Sequence, residues 1–305
     1  MISDSAFFNK QPPKAILRVT GEEAFSFLQG QFSNDLRPPT GSATYGLWLN
    51  QKGKVVADSV VLRLAEREFL VFSSHTSAAV IAQRLQEYIV ADDVILVDET
   101  ADTGGLIIGG TGSGEIVRQL SEIVPGRAQF VRKGPAVIFH GYRLPAENYE
   151  LVGPHEIMSG WRDQLVAGGL TDGGAGSLER ARIAAGIPAV PVDIGPSDLP
   201  NEGGLEVSAV SFTKGCFLGQ EVMARLKNLG QVRCRLHVVR GSGLPPQLPA
   251  TLYQGPNKIG ELRSVVPEGN GYIAMAMLAQ LNLNRAAGLS LTADGPAEIQ
   301  LRLHE

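Results

Sequence analysis

Tyr45-Gly46-Leu47-Trp48-Leu49, Asn50-Gln51-Lys52-Gly53, Val55-Val56-Ala57-Asp58-Ser59-Val60-Val61-Leu62, Glu66-Arg67-Glu68 and Phe69-Leu70-Val71-Phe72 follow one another with little between them. β-Branched and aromatic residues fill the apolar runs, and short polar runs separate them. That pattern predicts three strands in an antiparallel meander. Upstream, Ala15-Ile16-Leu17-Arg18-Val19 predicts a strand ended by Gly21. Residues 22–29 then place Ala24, Phe25 and Leu28 at helical spacing, with Glu22 and Glu23 in the first turn, where the helix dipole favours acids. Downstream, residues 77–90 predict a helix through Val80, Ile81, Leu85 and Ile89, and Val94-Ile95-Leu96-Val97 returns to strand. Strands and helices mix without the regular alternation of a parallel sheet. The fold class is therefore α+β.

Farther on, Leu106-Ile107-Ile108 and Ala136-Val137-Ile138-Phe139 flank a helix expected near residues 115–124. Glycines at 104, 105, 109, 110, 112 and 114 lack the Gly-Lys-Ser/Thr ending of a phosphate loop, so they read as turn glycines. Residues 177–185 predict a helix stopped by Gly186, with Pro188 just beyond. Residues 187–213 are rich in Pro, Gly and Asp and form a long crossing segment, a kind that is often functional. From Val232 onward, Leu236-His237-Val238-Val239, Ala250-Thr251-Leu252-Tyr253, Lys258-Ile259-Gly260-Glu261-Leu262, Tyr272-Ile273-Ala274-Met275-Ala276 and Ile299-Gln300-Leu301-Arg302-Leu303 alternate with Gly/Pro turns. They predict a small all-β barrel.

The 305 residues suit two or three compact units. A net charge of −4 argues against a chain that binds nucleic acid with its whole surface. The two cysteines, Cys216 and Cys234, are too few for a disulfide scaffold or a four-thiolate metal site. No segment has the roughly 18 uninterrupted apolar residues of a membrane span. Residues 1–14 have no apolar core of a secretory signal. A cytoplasmic protein with no membrane partner is expected.

Three features carry candidate chemistry. Cys216 sits two residues after Lys214 and ahead of a short helix expected to open near Gly219 and to end at Gly230. Either the helix N-terminus and the lysine favour its thiolate, or it is a buried, inert cysteine. Lys214, Arg225, Lys227, Arg233, Arg235 and Arg240 face a single acid, Glu221, within residues 214–240. They form either a solvated face or a site for an anion such as a polyglutamate tail, a phosphate or an RNA backbone. Asp58 is a lone acid in an apolar strand. It points either at solvent or at a partner able to donate hydrogen bonds, and the N–H edge of a pterin is such a partner. The histidines at 75, 140, 155, 237 and 304 show no metal-ligand spacing, and no Gly-x-Ser-x-Gly elbow is present.

Lys214-Gly215-Cys216-Phe217-Leu218-Gly219-Gln220-Glu221 resembles the hallmark of the YgfZ family of folate-binding proteins. Leu17-Arg18-Val19-Thr20-Gly21, Phe27-Leu28-Gln29-Gly30 and Ser33-Asn34-Asp35 are similar to the entry segment of the wider aminomethyltransferase superfamily, that of the glycine cleavage T-protein. Arg182-Ile183-Ala184-Ala185-Gly186-Ile187-Pro188 and Gly230-Gln231-Val232-Arg233-Cys234-Arg235-Leu236 are similar to further family blocks. The resemblance implies two mixed α+β units around a central hole plus a C-terminal β-barrel. It assigns residues 1–42 and 135–229 to a discontinuous folate-binding core, 43–134 to an inserted α+β unit and 230–305 to the barrel. It implies tetrahydrofolate, or a C1-substituted folate, as cofactor, held by Asp58, Glu150 and Arg233.

The same resemblance makes Cys216 the essential thiol, supported by Lys214, Gly215, Phe217, Gly219, Gln220, Glu221 and Arg225. It implies a role in assembly or repair of iron–sulfur enzymes, including tRNA-modifying ones. Iron–sulfur enzymes or assembly proteins are then the partners, with a weak tRNA contact through the basic run 214–240. Three positions depart from the aminomethyltransferase pattern. Its two adjacent acids appear as Ala57 and Asp58, its asparagine after the next strand as Ser74, and its acid in the Arg182 block as Ala184. These departures favour a folate-binding accessory factor over a folate-dependent aminomethyl or C1 transferase or demethylase. A third reading is a non-catalytic RNA- or protein-binding module.

Overall fold

The computed structural model describes residues 6–229, 232–281 and 283–302. β1 (Phe7–Lys10) comes first and joins the second sheet. The first unit contains β2 (Ala15–Thr20), α1 (Ala24–Gln31), β3 (Ala43–Leu49), β4 (Val55–Ala65), β5 (Glu68–Ser73), α2 (Ala78–Gln86) and β6 (Ile95–Asp98). Its five-stranded sheet has the order β3-β4-β5-β2-β6. β3, β4 and β5 pair antiparallel in sequence, which is the expected meander.

The second unit contains β7 (Thr103–Gly109), α3 (Ser113–Ser121), β8 (Phe130–Lys133), β9 (Ala136–His140), β10 (Asn148–Pro154), α4 (His155–Ala167) and α5 (Ala175–Ala184). Its sheet has the order β1-β7-β10-β9-β8. Gly104, Gly105 and Gly109, expected in turns, lie inside β7. There the Gln11 carbonyl crosses Gly105 so closely that a Cβ would stand 2.4 Å from it.

The two sheets pack face to face. Val60, Leu62, Leu64, Leu70 and Phe72 of the first meet Val137, Phe139 and Val152 of the second in one apolar layer. α1 and α2 cover the far side of the first sheet, around Phe27, Leu28, Trp48 and Ile81. α3 and α4 cover the far side of the second, around Val117, Met158, Trp161 and Leu165. Each sheet thus has both faces buried in a helix–sheet–sheet–helix stack.

These sheets divide the chain elsewhere than at the expected boundaries. Residue 43 opens β3, which shares a sheet with β2, so a break at 42/43 would cut the first unit. Residues 134/135 lie in the tight turn between paired β8 and β9. Residues 43–134 are therefore no insertion. The pairing that decides this is non-local, since β2 lies between β5 and β6 and β1 crosses to the second sheet.

The crossing segment 187–213 carries only one short helix, α6 (Glu206–Ala209), and a 3-10 turn. α7 (Gln220–Leu229) follows the 214–221 motif. Gly230, expected to stop it, lies outside the described residues, as do Gln231 and the side chain of Lys227. The third sheet contains β11 (Cys234–Ser242), β12 (Ala250–Gln254), β13 (Asn257–Glu268), β14 (Gly271–Ala279) and β15 (Ile299–Leu301). Its order is β12-β13-β14-β11-β15. It curls round its own core of Leu252, Leu262, Ala274 and Leu289. Leu289 bridges Ile299 and Ser290 bridges Tyr253, which ties the two edge strands together. No helix among the described residues is long and apolar enough to cross a membrane.

Candidate functional site

A narrow cleft opens in the layer between the two sheets. Tyr45, Asp58 and Phe72 line it from the first sheet, Phe139 and Glu150 from the second, and Tyr142, Arg143 and Pro188 from connecting segments. β4 explains how Asp58 reaches it. Alternation puts Ala57 and Val61 in the helix-side core, while Asp58 shares the opposite face with Val60 and Leu62. Of the two orientations open to Asp58, the structure takes the one that faces a site. Tyr45 Oη donates to Asp58 Oδ2 at 3.1 Å, and Ser73 Oγ lies 3.4 Å from Oδ1. Burial outweighs these donors and raises its pKa to about 6. The tyrosine is stacked on Tyr142, ring centroids 4.7 Å apart.

Glu150 also lines the cleft, at the centre of the second sheet. Its two oxygens accept from Arg143 Nε and Nη2, both at 2.8 Å, and both side chains are almost fully buried. Glu150 therefore orients Arg143 and is not a free edge for a ligand. Arg233 is exposed at the foot of β11 and is absent from the cleft lining. The structure brings Asp58 and Glu150 together and leaves Arg233 apart. Ser74 lines the cleft, and Ala57 is sealed in the core, where an acid would have no partner. Arg143, His75 and Tyr45 belong to the site but carry no local sequence signal; only the pairing of the sheets assembles them.

The 214–221 motif stands apart from this cleft, and none of its residues lines it. Lys214 is buried, and its Nζ donates to the carbonyls of Gln29 and Phe32 at 2.6 Å and Asn34 at 2.9 Å. Burial lowers its pKa to about 8. Three donors meet three acceptors at the end of α1. The expected electrostatic support of Cys216 by Lys214 is thus replaced by a structural role, because the ammonium is committed elsewhere. Phe217 is buried against Leu47, Leu49, Val190 and Met223. Gly219 adopts φ +85° and rests on the β3–β4 turn, where a Cβ would meet the Asn50 carbonyl and Gly53 Cα at 3.0 Å. Gln220 opens α7, and Gly215, Glu221 and Arg225 are exposed. Cys216 is exposed and unpaired between these anchors, which removes the buried-cysteine alternative. Cys234 is also unpaired. It lines a different groove with Asp198, Glu202 and Arg263, where burial and the two acids push its thiol pKa up.

The basic run shrinks in the same way. Lys214 is buried, and Arg240 pairs with Glu268 at 2.6 Å. Arg225, Arg233 and Arg235 are the exposed cations that stay unpaired among its described residues. Among the described residues no group of three or more His, Cys, Asp or Glu is placed to hold a metal ion.

The GCVT N-terminal domain family matches residues 14–214, well over half of the chain. The protein belongs to the GCVT family. Among its relatives, the mitochondrial iron–sulfur cluster assembly factor IBA57 of Mus musculus is 28% identical over 287 residues, covering 87% of this chain and 75% of that one. An aminomethyltransferase of Staphylococcus epidermidis is 26% identical over 276 residues, covering 86% and 76%. The crystal structure of glycine cleavage system aminomethyltransferase T from Bartonella henselae superposes with a TM-score of 0.79 at 18% identity, over 98% of this chain and 82% of that one. That likeness establishes the GCVT fold, two α+β units and a curled C-terminal sheet. The relatives thus include both iron–sulfur cluster assembly factors and aminomethyltransferases.

Proposed function

We propose that this GCVT-family protein binds tetrahydrofolate, or a C1-substituted folate, and serves the assembly or repair of iron–sulfur enzymes, with Cys216 as its essential thiol. The observation that carries the folate reading is Asp58, a half-buried carboxylate on a cleft wall whose side-chain donors are two hydroxyls, those of Tyr45 and Ser73. A cyclic N–H donor edge completes its hydrogen bonding where two hydroxyls do not. The cleft fits such a group in two further respects. The stacked Tyr45 and Tyr142 offer an aromatic wall, and a buried imidazole nitrogen of His75 has no hydrogen-bond partner among the described residues. Asp58 and Tyr45 would hold the cofactor, and Arg143, fixed by Glu150, would set the charge at its far wall. Bound, tetrahydrofolate supplies a carrier of one-carbon units.

The iron–sulfur role rests on the assembly factors among the relatives and on the exposed Cys216. A single thiol cannot hold a cluster alone, so the client or a partner supplies the other ligands. tRNA-modifying iron–sulfur enzymes are among the clients on this reading. The exposed Arg225, Arg233 and Arg235 give tRNA at most a weak, salt-sensitive contact. Unpaired cysteines suit a reducing compartment such as the cytoplasm.

The deciding experiment titrates tetrahydrofolate against the parent protein and Cys216→Ala, and measures iron–sulfur enzyme activity in cells that depend on each. Equal folate affinity with lost enzyme activity is expected, since cleft and thiol are separate. Full complementation by Cys216→Ala would remove the thiol from the proposal. The transferase reading is weaker, because Ala57 lies in the core and Glu150 is committed to Arg143. Methylene transfer from an aminomethyl donor, abolished by Asp58→Asn, would restore it.

A further inference from the structure

His75 stands just past the end of β5, after Ser73 and Ser74. It lines the cleft, and it also lines an adjoining chamber formed with Gln11, Leu178, Glu179 and Arg182. His75 and Arg143 are common to both spaces, so they form the waist between them. The two arginines round about are paired. Arg143 and Glu150 hold each other, and Arg182 is bound by Glu179, Asp193 and the Ile187 carbonyl. His75 Nε2 is different: it is buried and has no hydrogen-bond partner among the described residues.

Folded proteins leave few buried polar atoms unpaired, and each one destabilises the fold that keeps it. An apolar side chain in the same place would be better for stability alone. The imidazole is also uncharged near neutral pH. Burial, with Arg143, Arg182 and Lys14 against the lone help of Glu179, lowers its pKa to about 4. It therefore offers a neutral hydrogen-bonding nitrogen in a desolvated waist, with nothing in the protein to use it. We infer that His75 Nε2 is a ligand contact, hydrogen-bonding the reduced folate where it passes from the cleft into the second chamber. The assignment rests on the folate reading of the cleft.

The test uses the full chain with His75→Leu and His75→Gln, the glutamine restoring a polar atom near the place of Nε2. Tetrahydrofolate is titrated under argon at pH 7.5, and the melting temperature of each ligand-free protein is measured. The expected result has two parts. His75→Leu binds about tenfold more weakly and His75→Gln stays within a few-fold of the parent. His75→Leu is also as heat-stable as the parent or more so, because an unpaired polar atom has gone. Equal affinity across the three proteins overturns the assignment and leaves the folate reading intact. A His75→Leu protein that is unfolded or markedly less heat-stable reports a structural histidine and overturns it too. No binding by the parent overturns both readings. In parent protein labelled with ¹⁵N-histidine, saturation with tetrahydrofolate should move the ring-nitrogen signal that is missing from His75→Gln; an unmoved signal counts against the contact.

Discussion

Asp58 shows how one residue can set a site against the stability of its own fold. Its carboxyl keeps a proton to about pH 6 when folded, while an unfolded aspartate releases it near 3.8. Between those values the folded form binds more protons, so stability falls as pH rises through 6 and is highest below 3.8. Asp58→Asn cannot ionise. It should match the parent near pH 4 and exceed it at pH 8 by roughly 1–3 kcal/mol, read from urea melts at both values. On the proposed function, the same variant should also lose most of the affinity for tetrahydrofolate. A stability difference that does not change with pH would mean the carboxyl is not strained by burial. Lys214 is the opposite case, an ammonium whose three bonds serve the end of α1.

At the scale of elements, the motif is a short strap held at both ends. Lys214 fastens it to α1, and Gly219 fastens it to the β3–β4 turn. Gly219→Ala places a Cβ against backbone atoms and in a left-handed conformation. It should cost about 1–3 kcal/mol and speed the reaction of Cys216 with a thiol reagent. An unchanged melting curve would refute the contact. The elements themselves were unevenly legible. The meander was readable because its pairing is local and its turns are short. β10 was not: Asn148 and Glu150 interrupt its apolar run, and Gly153-Pro154 ends it, yet both its faces are buried. α4 does carry a signal, Met158, Trp161 and Leu165 at helical spacing, broken by Gly160. Asp58 stands out in its own strand. His75 and Arg143 gain meaning only from residues far along the chain, which no local pattern reveals.

At the scale of the whole molecule, Arg182 joins parts that the sequence keeps apart. From α5 it reaches Asp193 and the Ile187 carbonyl in the crossing segment and Ser264 in the third sheet. Asp193 is wholly buried. Arg182→Leu strands that carboxylate and should cost about 3–5 kcal/mol, with the double change Arg182→Leu, Asp193→Leu recovering much of the loss. Calorimetry tests this. Failure of the second change to restore stability would mean that the arginine acts by packing and not by charge.

The seat of Gly219 on the β3–β4 turn has a consequence for how such chains can diverge. Turns at the surface are where related proteins gain and lose residues most freely. This one closes through Asn50, which accepts from Lys52 and Lys54, and it is pressed by a second segment from far along the chain. An added residue would push the seat away; a deleted one would leave the strap without footing. Chains that keep the strap should therefore show a fixed length at residues 50–54, while neighbouring turns drift.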